Sequence, residues 1–393
     1  MVKWCVVYHI SLRPRKGVFL FESGVALRAR RSFWYNLQSK VRRIVILGAT
    51  GSIGTSAIDV VRANARDFRV VALSAFSSRE KAEALAREFG ARAYVGEDAA
   101  ERAVVESDAD ICLVATVGMS GLKPTLAAIE KGMDIALATK EVLVMAGELV
   151  MRRAAERGVR VLPVDSEHSA AFQCMQGSSR ESVSSLTLTA SGGPFLDGPD
   201  DLSAVTPAQA LNHPRWKMGP KVTVDSATMM NKGFEVIEAR WLFDIPYDRI
   251  DVVVHPESIV HSLVTFSDGA TLAQLSPPDM RVPIQYALTW PDRLPAERAV
   301  LDLAKIGSLT FRAPDPVRFP CLGLVRRALA QGGCATAVLA AADELAVGRF
   351  LRGEIGFTDI ERTVERALNA APSVPCDTLE AVFAANDWVW KSL

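Results

Sequence analysis

The sequence predicts an α/β protein: a doubly wound parallel sheet first, a central α/β region after it, and a helical region at the end. Three observations carry this prediction. Between residues 44 and 164 short apolar runs alternate with helical patterns, the signature of repeated βα units. A glycine-rich turn stands between the first apolar run and the first helical pattern. Beyond residue 320 the amphipathic pattern is helical throughout.

Composition bounds the answer. The chain has 393 residues, 49% hydrophobic and 23% charged. That suits two or three domains with a sizeable core and excludes disordered, collagen-like and disulfide-scaffold classes. The 45 basic and 45 acidic residues balance, but unevenly. Residues 1–40 hold eight basic residues and one acidic, whereas residues 41–393 hold 37 and 44, a formal charge of −7. A mildly acidic body argues against nucleic acid or a membrane surface as partner, and leaves room for a local basic pocket. Cysteines at 5, 112, 174, 321, 334 and 376 form no CxxC pair. A zinc ribbon and a thioredoxin motif are therefore absent, and a reducing compartment fits best. No apolar run reaches the ~18 residues of a membrane-spanning helix.

Residues 1–40 are Arg-rich, acid-poor and without sustained period. A presequence, an ordered arm and a misassigned start all fit, although seven aromatics are many for a transit peptide. A chain starting near Val41 is expected to fold.

The first domain is expected over residues 41–164. Residues 44–47 form a buried strand, followed by Gly48, Gly51 and Gly54 and a helix carrying Ala57, Ile58 and Val61. Such a turn lets backbone approach a pyrophosphate and presents helix N–H groups to it; an ordinary tight turn fits the same glycines. Strands follow at 70–73, 111–115, 134–138 and 159–164, with helices at 78–89, 122–131 and 141–156. At the end of the second strand no acid precedes Glu80. Ser77, Ser78 and Arg79 thus favour a 2′-phosphate over a free ribose hydroxyl, or else Ser78 simply caps the next helix.

The central region, 165–300, concentrates polar chemistry. Asp165 and Glu167 follow a strand end, and an extended backbone would turn both to one side, where a hard cation could join them. A helix N-terminus capped by Asp165 is the competing reading. Residues 184–189 form a strand, and Ser191 on the glycine turn after it can donate to a phosphate or serve in a plain turn. Residues 213–220 form a loop whose Trp216 and Met218, beside His213, Arg215 and Lys217, suit a lid; a core-anchored Trp216 is the alternative. Asn231 and Glu235 share a helical face, so Glu235 can add a third cation ligand, while Ser226, Asn231 and Lys232 offer phosphate donors. Glu238 and Arg240 continue this helix as surface or structural residues. A Pro-rich linker spans 301–320, and helical runs at 321–331, 335–348, 359–371 and 378–390 form a structural C-terminal domain.

The motifs VDSEH, TASGGPF, HPRWKMG, VDSATMMNKGFE and HPESIVHS, behind GATGSIG, resemble those of 1-deoxy-D-xylulose 5-phosphate reductoisomerases over about residues 41–393. The resemblance implies a Rossmann-like NADP-binding domain, a catalytic domain with a flexible flap, and a C-terminal helical domain. It implies Asp165, Glu167 and Glu235 as ligands of one Mg²⁺ or Mn²⁺. It implies Lys140, Ser166, Glu167, Ser191, His213, Ser226, Asn231, Lys232 and Glu235 as substrate contacts, with Lys140, Glu167, His213 and Glu235 catalytic. Thr50, Gly51, Ser52, Ile53, Thr139, Glu141 and Gly219 are the implied NADPH contacts, beside Ser77 and Ser78.

Two positions depart from the pattern. Thr139 replaces a usual Asn and loses an amide. Phe76, Ser77 and Ser78 replace a usual Gly-Lys-Asn, which weakens the hold on the 2′-phosphate and offers the Phe76 ring to adenine. The segment between 96 and 110 is also short and should be a trimmed loop or helix. The activity implied is isomerisation of a phosphosugar by retro-aldol and re-aldol steps on a Lewis-acidic cation, then reduction by NADPH. A homodimer in the bacterial cytoplasm is implied, or a plastid-type organelle if residues 1–40 are a transit peptide. A simple NADP-dependent semialdehyde-type dehydrogenase would need no three-carboxylate site, and a non-catalytic NADP sensor would need neither Glu235 nor the flap.

Overall fold

The computed structural model describes residues 41–296 and 300–393; the readings on residues 1–40 lie outside the described residues. Val41–Leu393 form one compact unit. Its first half runs β1 (Arg42–Leu47), α1 (Ser52–Ala63), β2 (Phe68–Ala75), α2 (Arg79–Phe89), β3 (Arg92–Val95), α3 (Ala99–Val105), β4 (Ile111–Val114), α4 (Leu122–Glu130), β5 (Asp134–Leu137), α5 (Glu141–Arg157) and β6 (Val161–Pro163). The sheet is parallel throughout, in the order β3-β2-β1-β4-β5-β6. This is the doubly wound order whose direction reverses between β1 and β4, opening a crevice at the carboxyl ends of those strands.

The glycine turn sits in that crevice for steric reasons. Gly48 has φ +75°, and a Cβ there would fall 2.3 Å from the Ala115 carbonyl oxygen beyond β4. A Cβ on Gly54 would fall 2.2 Å from the Gly48 carbonyl oxygen. Helix α1 therefore packs backbone to backbone on the turn, which only glycine allows.

Strand β3 was not anticipated. Its four residues lie at a sheet edge and bury only Tyr94, too short a run for a clear period. Helix α3 occupies the segment expected to be trimmed.

The second half runs α6 (Ser166–Cys174), β7 (Val183–Ala190), α7 (Pro207–Ala210), α8 (Pro220–Thr228), α9 (Met230–Phe243), β8 (Ile250–Val254), β9 (Val260–Phe266), β10 (Thr271–Leu275), α10 (Arg281–Thr289), α11 (Leu303–Ile306), α12 (Cys321–Gln331), α13 (Ala335–Leu351), α14 (Asp359–Ala370) and α15 (Leu379–Ser392). A mixed sheet in the order β10-β9-β7-β8 backs α6 and α9.

Strand alternation divides the core. Val45, Leu47, Cys112, Val114, Ile135 and Leu137 pack with α5, α9 and the C-terminal helices. Ile44, Ile46, Ile111, Leu113 and Ala136 face α1, α2 and α10. The helices after residue 320 thus share the core of the dinucleotide-type sheet instead of enclosing one of their own. Helix α10 went unpredicted, yet it completes the far face: Arg42 donates to the carbonyls of Leu288 and Trp290 at 2.8 and 2.6 Å. Among the described residues no helix is long and apolar enough to cross a membrane.

Candidate active site

At least six chain segments meet at one cavity beyond the carboxyl ends of the parallel strands. It is lined by Ser52 and Ile53 of the glycine turn, by Lys140 after β5, by Asp165, Ser166 and Glu167 after β6, and by Ser191 after β7. Trp216, Met218, Gly219, Ser226, Asn231, Lys232 and Glu235 complete it.

The local route to the carboxylates is the capped helix N-terminus and not the extended backbone, the first of the two readings that the residues allowed. Asp165 is the N-cap of α6, its carboxylate accepting from the Ser166 amide at 2.9 Å, and Glu167 lies in the first helical turn. Capping and convergence hold together because the helix begins at the cavity mouth. Glu235 rises from the first half of α9, one turn after Asn231. Oxygens of Asp165, Glu167 and Glu235 lie within 4.8 Å of one another.

Two buried lysines bridge the trio. Lys140 Nζ is 2.6 Å from Asp165 and 3.4 Å from Glu235, and it donates to the Asn231 side-chain oxygen Oδ1 at 2.7 Å. Lys232 Nζ is 3.0 Å from Glu167 and 2.5 Å from Glu235. The Asn231 amide donates to Glu235 at 2.6 Å. Burial opposes charge on every one of these groups. Even so, Lys140, with help from His168 and Lys232, holds the Asp165 carboxyl well below the usual carboxylate range. Glu167 is also lowered, its burial outweighed by Lys232. Glu235 is pushed up to about 8 by burial and by Glu167, against the pull of Lys232 and Lys140. Fully ionised, the three carboxylates would outnumber the two ammonium groups, and Glu235 is held back from ionising for want of a further positive charge. Hard oxygen donors with that deficit fit a divalent cation.

The loop 213–220 is anchored by His213. Its Nδ1 accepts from the amides of Arg215 and Trp216 at 3.1 and 2.9 Å. Nδ1 is therefore bare, and the Nε2 proton is donated to Ser191 Oγ at 3.0 Å. The Ser191 hydroxyl hydrogen stays available to a ligand oxygen. Burial depresses the His213 ring to about 4. We expect the activity profile to show no inflection from His213 near pH 6.5, its ordinary value. The sign for stability follows: the unfolded ring protonates near 6.5 and the folded ring does not, so this contribution is full above 6.5 and fades as pH falls towards 4. An NMR titration of His213 reads this directly; a ring titrating at 6 or above would refute it.

Several anticipated contacts do not line the cavity. Thr50 lies in an outer groove with Asp59 and Arg62. The Thr139 hydroxyl donates inward to the Thr116 carbonyl at 2.7 Å, and Glu141 turns towards Lys221 at 3.9 Å. Ser77 and Ser78 stand at the end of β2 beside an exposed Phe76, and Ser78 occupies the N-cap position of α2 without a side-chain capping bond.

Other residues were missed. Glu238, expected as surface or structural, is fully buried. Its carboxylate stands 3.5 Å from His168 Nδ1, and His168 Nε2 donates to the Glu235 carbonyl at 2.9 Å. Burial raises Glu238 to about 7, against His168. The three-residue spacing of Glu235 and Glu238 could have flagged a shared face. Ser262 on β9 supports Glu167 by donating to its carbonyl at 2.7 Å.

A dinucleotide-type sheet whose glycine turn opens onto three cation-seeking carboxylates beneath a loop defines an oxidoreductase that handles its substrate with a bound metal. Comparison with known proteins names the group within that class: the chain belongs to the 1-deoxy-D-xylulose 5-phosphate reductoisomerase family. The family model described by that name matches residues 44–95 and 90–147, and its C-terminal domain models match 161–243 and 275–392. The reductoisomerase of Exiguobacterium sibiricum is 48% identical over 373 residues, 88% of this chain and 97% of that protein. That of Geobacter metallireducens is 47% identical over 372 residues, with the same coverage. Among solved structures, the Zymomonas mobilis enzyme in complex with NADPH superposes with a TM-score of 0.83 at 40% identity, covering 89% of this chain and 97% of that one. A DOX-P reductoisomerase in complex with NADPH, fosmidomycin and magnesium gives 0.85 at 38% identity, with the same coverage.

Proposed function

We infer that this chain converts 1-deoxy-D-xylulose 5-phosphate to 2-C-methyl-D-erythritol 4-phosphate with NADPH and a divalent cation, and that the cavity described above is where it does so. The observation that carries the assignment to this cavity is the convergence of Asp165, Glu167 and Glu235 within 4.8 Å beside Ser52 and Ile53 of the glycine turn. Relatives in the family have been solved with NADPH and magnesium. A simple semialdehyde-type dehydrogenase has no use for the carboxylate trio.

Asp165, Glu167 and Glu235 would hold the cation, which when bound supplies Lewis-acid polarisation of substrate oxygens. The glycine turn, through Ser52 and Ile53, would hold NADPH, which when bound would supply the hydride. Lys140 keeps its proton because Asp165, Glu235 and Glu238 outweigh its burial, so it offers a fixed positive donor to oxygen at the reacting end. Ser191, with its hydroxyl hydrogen free, and Ser226 offer neutral donors for the phosphate. Asn231 pairs with Glu235 and Lys232 with Glu167 and Glu235; both would be free to contact the substrate when those carboxylates hold the cation. Trp216 and Met218 exclude water from the reactive intermediate. The homodimer and cytoplasmic setting rest on the family resemblance alone.

The deciding experiment is NADPH oxidation by the purified chain with 1-deoxy-D-xylulose 5-phosphate. EDTA should abolish it and Mg²⁺ or Mn²⁺ should restore it. Full turnover in metal-free protein would overturn the assignment of the carboxylates.

Trp216 is partly exposed on the cavity wall, 6.5 Å between ring centroids from His261. It is a flap residue and not a core anchor. Closing such a ring over substrate contributes on the order of 2 kcal/mol. Trp216→Ala should lower kcat/KM by roughly tenfold or more with little change in Tm. A loss of about 3–5 kcal/mol of stability, the cost of deleting a core aromatic, would contradict this; a thermal melt beside the kinetic assay distinguishes the two.

A further inference from the structure

At the root of the flap, behind the cavity wall, lies a second cluster of buried charge, of which only the Glu141–Lys221 contact has been described above. Lys221 is the second residue of α8 and follows the flap directly. Its Nζ is 2.6 Å from Asp225 one turn on, 2.7 Å from Asp343 on α13, and 3.9 Å from Glu141 at the start of α5. The Phe234 ring on α9 lies 4.6 Å from the ammonium. Asp343 is fully buried and Asp225 nearly so, and each leaves its second oxygen without a hydrogen-bond partner.

This is an expensive way to hold helices together. A buried ion cluster gives little net stability once desolvation is counted, and apolar packing would hold α8 on α13 at least as well. Burial and Asp343 push the Asp225 carboxyl up against the pull of Lys221, so the cluster is under electrostatic stress. What it adds is direction. The ammonium meets its acceptors at one position only, and that position ties four elements in register.

Each tie leads to the cavity. Asp225 precedes Ser226, and Glu141 follows Lys140, which pairs with Asp165. Phe234 precedes Glu235. Gly219 and Pro220 join Lys221 to the flap that carries Trp216. We propose that Lys221, anchored by Asp343, is a positioning residue for the reaction: it sets where the flap ends and how the flap closes on the substrate. The C-terminal helices, which carry no catalytic group, would thereby take part in substrate binding. The inference rests on the functional reading above.

Asp343→Leu and Asp343→Asn test it. The leucine removes one acceptor but leaves Lys221 paired with Asp225 and Glu141, whereas asparagine still accepts from Nζ. Asp343→Leu should raise KM for 1-deoxy-D-xylulose 5-phosphate about tenfold, with kcat within about twofold and KM for NADPH unchanged, because a misplaced flap costs binding geometry. Asp343→Asn should restore KM to within about threefold. Trypsin gives a second readout, since Arg215 and Lys217 are exposed on the flap. Substrate with Mg²⁺ should slow cleavage there in the unaltered chain and in Asp343→Asn, but not in Asp343→Leu. Should Asp343→Leu fail to fold, Lys221→Arg keeps the charge, displaces the donors and should raise KM in the same way. A wild-type KM with wild-type protection would overturn the proposal. So would a fall in kcat at unchanged KM, the mark of a merely structural role. Absence of turnover in the unaltered chain would overturn the functional reading and this inference with it.

Discussion

Glu235→Gln should lose at least about a thousandfold in kcat while binding NADPH as before. The side chain is 1% exposed and is the one carboxylate of the trio that faces both lysines. Glutamine preserves its volume and one acceptor but removes the third anionic ligand. A Lewis-acid contribution of about 4 kcal/mol corresponds to that factor. The glycine turn contributes Ser52 and Ile53 from a different segment, so cofactor affinity, read by NADPH fluorescence, should not move. Mn²⁺ affinity, read by its paramagnetic resonance, should fall. Turnover near that of the unaltered chain would remove Glu235 from the metal set.

The second large effect concerns the fold. In Gly54→Ala the new methyl carbon would meet the Gly48 carbonyl oxygen at 2.2 Å and Ala49 Cα at 2.6 Å. Both are backbone atoms, held by strand β1 on one side and α1 on the other, and neither can rotate away. Overpacking of this kind costs about 3 kcal/mol or more. Gly51→Ala is the internal control, because its nearest obstacle is a single oxygen at 3.3 Å. Thermal melts of the two variants should therefore separate clearly, with Gly54→Ala far the lower. Equal melting temperatures would show that the turn yields, and would remove the steric reason for glycine at position 54.

Elements with a strong period were legible from residues alone. Helix α12 was expected over 321–331 and found there, and β1, α2, α4 and α5 lie within a few residues of expectation. Such runs announce themselves because one face or both are continuously apolar. Strand β3, a four-residue edge strand with one buried side chain, and α10, which is defined by what it covers, carry no such local signal. The convergence of Asp165, Glu167 and Glu235 was legible through the family resemblance, because the motifs that carry them are specific, whereas their local pattern alone fits a helix cap equally. Glu238 was not, because a carboxylate on a helix reads as a solvated face until the facing element is known. His168, from the first turn of α6, faces it at 3.5 Å.

The same contrast holds for the whole protein. Residue order alone decided the βα alternation, the glycine turn, the family and the residue types available to a cation, since each depends on neighbours within a few positions. Tertiary structure alone decided which charges face one another. Lys140 and Asp165 are 25 residues apart, Lys232 and Glu167 are 65, and Lys221 and Asp343 are 122. Charges so far apart along the chain come within 3 Å only when packed helices and strand ends bring them there. Their protonation and pairing then follow from burial, a property that no short stretch of sequence possesses.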